Sequence, residues 1–244
     1  MQPRTYRHWI EGKGLVAFNV IVKETDLYIR AVTNLQKKAH QLVEKHRRSL
    51  ENYIERNPAF LGSLEPLNVG DDAPQIARQM AVAAQAAGVG PMAAVAGAIA
   101  ECVGRELLKF SPEIIVENGG DIFLRSSQKI RVGIYAGTSP LTGTIGMEIR
   151  GQDEPCGICT SSGTVGHSLS LGKADAVVVT APSAILADAA ATAIANIVTR
   201  HADIPEGIAL AQNISGLSGV VIIKGEHIGA WGDITLCPTS GETH

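Results

Sequence analysis

The sequence predicts an α+β fold in which mixed or antiparallel sheets pack against Ala-rich helices. Three observations predict it. Residues 14–30 alternate apolar and polar at strand period, Ala-rich apolar stretches fill 74–108 and 188–199, and strand-like apolar runs occupy 114–134 and 219–236. Strands at both ends with helices between do not make a regular βαβ alternation. No repeat, low-complexity linker or boundary divides the 244 residues, so a single domain, 1–244, is expected.

In chain order, Val16, Phe18, Val20 and Val22, followed by Leu27 and Ile29, predict a two-stranded hairpin turning near Asp26. Asn34 is placed to cap a helix carrying Leu35, Ala39, Leu42, Val43, Leu50 and Ile54 at helical spacing, which Asn57-Pro58 stops. Residues 60–73, with Gly62, Pro66 and Gly70, read as loop. A helix from Pro74 to Ala87 meets Gly88-Val-Gly90-Pro91, and a second runs to Leu108 with Pro91 in its first turn. Strands are expected at 114–116, 122–124 and 130–134 around Gly119-Gly120, and again at 144–149 and 176–179. An Ala-rich helix spans 188–199, and the hairpin 219–236 turns at Lys224-Gly225-Glu226.

Aromatic residues make up 4% of the chain, so Ala, Val, Ile and Leu must build the interior. Small side chains imply close approach of helices to each other or to a sheet. The net charge of −3 gives no global attraction to nucleic acid or anionic membrane. The basic cluster Lys37, Lys38, Lys45, Arg47 and Arg48 is interrupted by Glu44 and Glu51 and reads as a solvated helix face. The start, Met1 to Trp9, lacks a secretory apolar core, and the uncharged stretch 79–100 is broken by Gly88, Gly90 and Pro91. A cytoplasmic protein with two buried helices there is expected, and its four cysteines read as reduced thiols. The Ala-rich surface and edge hairpins permit a homodimer.

Five constellations bear on chemistry. Gly88 and Gly90 let the backbone approach a phosphate, and the N–H groups of the following helix favour an anion; a tight interhelical turn uses the same residues. Glu117-Asn118-Gly119-Gly120-Asp121 offers an acid-flanked bend to a planar ligand, or a simple Asn-Gly hairpin turn. Thr160, Ser161, Ser162 and Gly163 form a hydroxyl-rich loop, with His167 as a base near neutral pH; the alternative is a polar loop. Asp188 and Thr192 share one helix face four residues apart, a hard-oxygen pair for Mg2+. Asp188 either caps that helix or, if the helix begins at Pro182-Ser183, sits inside it and needs a partner. Cys156-Gly-Ile-Cys159 has the spacing of a redox pair or half a zinc site.

Taken in order, these segments resemble the ApbE-like superfamily, the FAD:protein FMN transferases once labelled thiamine-biosynthesis lipoproteins. Those enzymes show a helix beginning G-x-I-A-K-G, a turn N-x-G-G-[DN]-I, a T-S-G leading to H-I-I-D-P, and a helix with A-D-x-x-x-T. This chain has Gly97-Ala-Ile-Ala100, Asn118-Gly-Gly-Asp-Ile122, Thr160-Ser-Ser-Gly163 leading to His167, and Ala187-Asp188 with Thr192. The resemblance implies Mg2+ held by Asp188, Thr192 and a backbone carbonyl near Ala100. It implies a flavin nucleotide, FAD or FMN, contacted by Asn118, Gly119, Gly120 and Asp121 and by Thr160, Ser161, Ser162 and Gly163. His167 falls at the superfamily's catalytic base, and the implied reaction joins FMN from FAD to a Ser or Thr hydroxyl of an acceptor protein. Glu101 stands where the superfamily has lysine, His167 lacks the following Asp-Pro, and an extra serine enters Thr160-Ser-Ser-Gly163. The chain thus resembles a compact, cytosolic branch. Three functions follow: an Mg2+-dependent flavin-nucleotide transferase or pyrophosphate-cleaving enzyme, a non-catalytic flavin or nucleotide binder, which Glu101 favours, and a thiol or zinc protein using Cys156 and Cys159.

Overall fold

A computed structural model of the chain describes residues 10–11, 14–163 and 172–239. Its strands, in chain order, begin with β1 (Ile10–Glu11), β2 (Val16–Val22), β3 (Thr25–Ala31), β4 (Ile114–Asn118), β5 (Asp121–Ser126) and β6 (Ile130–Gly133). They continue with β7 (Ile145–Ile149), β8 (Gln152–Ser161), β9 (Ala176–Ala181), β10 (Gly219–Lys224), β11 (His227–Gly232) and β12 (Leu236–Pro238). The helices are α1 (Gln36–Arg56), α2 (Ala59–Gly62), α3 (Gln75–Ala87), α4 (Val95–Leu107), α5 (Ala184–Ile197) and α6 (Ile204–Asn213). Short 3-10 turns at Pro91–Ala94 and His201–Asp203 lead into α4 and α6.

Two antiparallel sheets result, an eight-stranded one in the order β11-β10-β9-β8-β5-β4-β3-β2 and a four-stranded one in the order β1-β6-β7-β12. Side chains alternate across the large sheet. Val116, Phe123, Cys159, Val179, Val220 and Ile222 face a helical layer that includes Leu42, Met80, Ile99 and Ile194. Ile115, Ile122, Leu124, Ile158, Val178 and Val221 face Ile130, Val132 and Met147 of the small sheet. The central strands are therefore buried on both sides, which is why they read as unbroken apolar runs. The α+β class holds.

Several local expectations change. The first hairpin turns at Lys23-Glu24, with Lys23 at φ 53°, because Asp26 already pairs with Ile21. Asn34 does serve α1, its side-chain oxygen accepting the Gln36 N–H at 2.9 Å. The stretch expected as loop holds α2. Residues 152–161, expected to end in a polar loop, form the longest strand, and α6 lies where no helix is expected. Among the described residues no single helix is long and apolar enough to cross a membrane, and the segment that raised the question is α3 and α4, bent by 105° at their junction.

Alanine and glycine set how closely α5 seats. Ala184, Ala187, Ala189, Ala190, Ala191, Ala193 and Ala195 are all buried. A Cβ on Gly157 of β8 would overlap the backbone of Ala184, and one on Gly97 of α4 would overlap the Ala184 carbonyl and stand 2.8 Å from Asp188 Cβ. Backbone therefore meets side-chain-free backbone on two sides of α5.

Candidate functional site

The Asn118–Asp121 bend is the β4–β5 turn. Gly119 (φ 68°) and Gly120 (φ 108°) both take the left-handed conformation that such a turn requires. Asn118 pairs with Asp121 across it. Its amide Nδ2 donates to the Ala96 carbonyl at 3.1 Å, tying the turn to the start of α4. The Gly120 N–H donates to Glu117 Oε1 at 2.9 Å, and Asp121 Oδ1 accepts the Thr160 N–H at 3.3 Å. The bend is thus a hairpin turn locked to both α4 and β8.

Ser183 caps α5, its hydroxyl oxygen accepting the Leu186 N–H at 3.4 Å, so Asp188 lies in the helix interior and not at its cap. Its partners come from α4: Oδ2 accepts the Gly97 N–H at 2.8 Å, and the Ala96 N–H also donates to the carboxylate. The N-terminus after the glycine loop does receive an anion, and that anion is Asp188. Gly88 (φ 73°) ends α3, and Gly90 is pressed against the backbone of Ser63 and Leu64, so chain direction and packing account for both.

The register Ile122↔Ile158 sets Asp121 beside Cys159 on the helical face of the sheet, under Asp188. Burial holds the Asp121 carboxyl well above the usual carboxylate range, and the charge of Asp188 raises it further. Burial likewise pushes Asp188 up to about 7, against the opposing pull of the Gly97 and Ala96 N–H groups. Among the described residues no cationic side chain offsets either acid. Cys159 donates to the Ala184 carbonyl at 3.2 Å and also bonds Asp121; burial raises its thiol well above the ordinary value. Cys156 packs on the opposite face of the sheet, with its thiol pushed up to about 11. Residues three apart on a strand point oppositely, so the two sulfurs make neither a redox pair nor half a zinc site.

From the Gly157–Ala184 contact, α5 runs the same way as β8: Gly163 abuts Gly172, and Gly172 abuts the Ala195 carbonyl. A helix advances ~1.5 Å per residue and a strand ~3.3 Å. Asp188 is therefore level with Cys159, and Thr192, half-buried, is level with Ser161. The Ser161 hydroxyl faces the helical layer, is buried, and has no hydrogen-bond partner among the described residues. Thr160 points to the other face and contributes its N–H. Ser162 Oγ donates to the Ala174 carbonyl at 3.4 Å, and the Gly163 N–H donates to the same oxygen at 2.9 Å. Ala100 is wholly buried in mid-helix, where its carbonyl belongs to the α4 ladder. His167 lies outside the described residues.

Two features escape the sequence. Asp121 is half of an acid pair, and an acid opening an apolar strand directly after two glycines was the available signal. Glu101 turns away from the acids to the start of α5, where its buried carboxylate accepts from Ser183, Ile185 and Arg105. No sequence signal foretells that contact between helices.

Two carboxylates and the Thr192 and Ser161 hydroxyls make an oxygen donor set, which suits a hard divalent cation such as Mg2+ that keeps several waters. The Ser161 hydroxyl is a buried group that lacks a partner among the described residues. No group of three or more His, Cys, Asp or Glu side chains converges among the described residues, so protein ligands alone do not complete a shell. A separate cleft of about 550 Å³, lined by Ser139, Asp175, Arg200, His201, Lys224 and His227 among others, shares no residue with this cluster.

Comparison with known proteins bears on the family and the fold. The family model described as AbpE bacteria matches residues 7–215. The UPF0280 protein MJ1526 of Methanocaldococcus jannaschii is 44% identical over 222 residues, covering 88% of this chain and 90% of that one. The UPF0280 protein MK0206 of Methanopyrus kandleri is 42% identical over 225 residues, covering 89% and 91%. Among solved structures, the apo form of the Pseudomonas stutzeri flavinyl transferase ApbE superposes with a TM-score of 0.62 at 16% identity, covering 89% of this chain and 93% of that one. The ApbE protein of Thermotoga maritima gives 0.54 at 14% identity, covering 88% and 96%. The similarity to both is one of fold.

Proposed function

Since this chain belongs to the family described as AbpE bacteria, we propose that it is an Mg2+-dependent flavin-nucleotide transferase acting on the pyrophosphate of FAD. In this reading Asp188, Asp121 and Thr192 hold the cation, and the Ser161 hydroxyl and the backbone of the Asn118–Asp121 turn meet the flavin nucleotide. Bound Mg2+ supplies positive charge to the phosphate oxygens as the pyrophosphate bond breaks. A Ser or Thr hydroxyl of an acceptor protein bonds the FMN phosphorus, AMP leaves, and the hydroxyl proton passes to a base, assigned to His167. The observation that carries the reading is a pair of buried acids without a cationic side chain, aligned with a hydroxyl without a partner, both among the described residues. Burying two like charges and an unpaired hydroxyl opposes folding, the Gly97 and Ala96 N–H bonds to Asp188 offset part of that cost, and a bound cation and its ligand would satisfy both.

Glu101 favours the second reading, a flavin binder without turnover, because the superfamily's lysine is missing. Its carboxylate, however, is engaged by Arg105 and the start of α5, so it sets no bare anion against phosphate. Incubation with FAD and Mg2+, followed by chromatography for AMP and FMN, separates the two. Turnover that disappears in Asp188→Asn supports the transferase. Tight flavin binding without AMP release supports the binder, and neither binding nor release removes both.

A further inference from the structure

Glu101 and Asp188 each serve the other's helix. Glu101 stands on α4 one turn beyond Gly97, and only 3% of it is exposed. Its Oε2 accepts the Ser183 hydroxyl at 2.8 Å and the Ile185 N–H at 3.2 Å, both at the start of α5. Its Oε1 accepts Arg105 Nε at 2.7 Å, and that guanidinium lies 5.4 Å from the centroid of the Phe123 ring. Asp188 stands on α5 one turn beyond Ala184 and accepts the Gly97 N–H at the start of α4. Two helices thus exchange acids, each carboxylate seated at the partner's positive end.

This exchange has a geometric effect that an ordinary cap lacks. The seats of α5 on Gly157 and Gly97 fix how near it lies to β8 and α4, while its acid contacts with α4 resist its roll about its own axis. Two contacts at different heights fix that roll. The same roll decides whether Asp188 faces Asp121 and whether Thr192 comes over Ser161. We infer that Glu101 is a positioning residue for the acid pair, acting through Ser183 and Ile185 to set the rotation of α5. The inference rests on the cation-site reading above only for its consequence in ligand affinity, because the rotation can be followed without any cation.

Amide hydrogen exchange in the cation-free protein tests the rotation. In Glu101→Gln, exchange at Ala96 and Gly97, whose N–H groups bond Asp188, rises about ten-fold more than exchange at the core amides of Val116 and Val179. Mn2+ affinity, followed by electron paramagnetic resonance, falls about ten-fold in the same variant with the far-UV circular dichroism unchanged. Equal acceleration at all four amides means Glu101 only stabilises the fold, and it overturns the inference. Unchanged Gly97 exchange with unchanged Mn2+ affinity overturns it as well, while leaving the cation site standing. Selective acceleration in a protein whose wild type takes no Mn2+ supports the positioning of Asp188 and removes the cation reading instead. If Glu101→Gln does not fold, Ser183→Ala removes one leg of the contact, and the same two measurements decide with effects of about three-fold.

Discussion

Asp121 on β5 faces Asp188 on α5 across the seam where helix meets sheet, and no cationic side chain stands beside either among the described residues. Without a cation, the folded pair retains protons that the unfolded carboxylates, titrating near 3.9, have already released. From about pH 4 to about pH 7 the native state therefore binds more protons than the unfolded state, and stability falls as pH rises through that window. The loss has an upper bound of about 1.4 kcal/mol per pH unit for each retained proton. Urea unfolding in a chelator should give a lower midpoint at about pH 7.5 than at about pH 5. Asp188→Asn should reduce that difference, leaving the part due to the burial of Asp121, and Mg2+ should restore the midpoint at the higher pH in the wild type alone. A wild-type midpoint that climbs with pH would count against the pair.

Ser161→Ala removes a buried hydroxyl that bonds nothing among the described residues. Thermal unfolding of the ligand-free variant should match the wild type or exceed it by up to about 1 kcal/mol, because an unpaired polar group is lost at little cost in volume. Flavin fluorescence titration should show weaker binding of FMN in the same variant. Lower stability with unchanged flavin affinity would mean the hydroxyl serves the fold.

Gly97→Ala drives a methyl group into the Ala184 carbonyl and the Asp188 side chain. The expected destabilisation is about 1–3 kcal/mol, despite a gain of up to about 1 kcal/mol in helix propensity. Gly62→Ala is the control: nothing lies within 4 Å of the added carbon, and stability should stay within about 0.5 kcal/mol. Differential scanning calorimetry of the two variants reads the contrast directly.

The thiols of Cys156 and Cys159 sit on opposite faces of β8 and are held protonated by burial. Diamide treatment of the native protein followed by non-reducing peptide mapping should find no disulfide between them, since neither thiolate is populated near neutral pH. A native, stoichiometric link would contradict the strand placement.

The helices of the fold were legible wherever a single periodicity ruled. Leu42, Val43, Leu50 and Ile54 declared α1, and Asn57-Pro58 its end. β8 was not, because Gln152-Asp-Glu-Pro155 is polar, Gly157 breaks the alternation, and Thr160-Ser-Ser-Gly163 has loop composition. Gly157 is there because the backbone of α5 lies against it, a tertiary demand with no local trace. α6 was hidden by Pro205 and Gly207; the proline occupies the first turn, and the glycine leaves room for Ile222. Within the site, the face shared by Asp188 and Thr192 was legible from spacing alone. The meeting of Asp188 with Asp121 depends on the order β4-β5-β8 beneath α5, which no local pattern encodes.

The two glycine contacts on α5 have a consequence for how the molecule tolerates change. Where main chain rests on main chain, the distance between layers is a sum of atomic radii and does not vary with side-chain choice. Substitutions elsewhere along the seam can alter its polarity or the groups it presents, yet the distance between the layers stays constant. The layer spacing at this place rests on Gly97 and Gly157, and the rotation of α5 within that spacing is left to its acid contacts with α4.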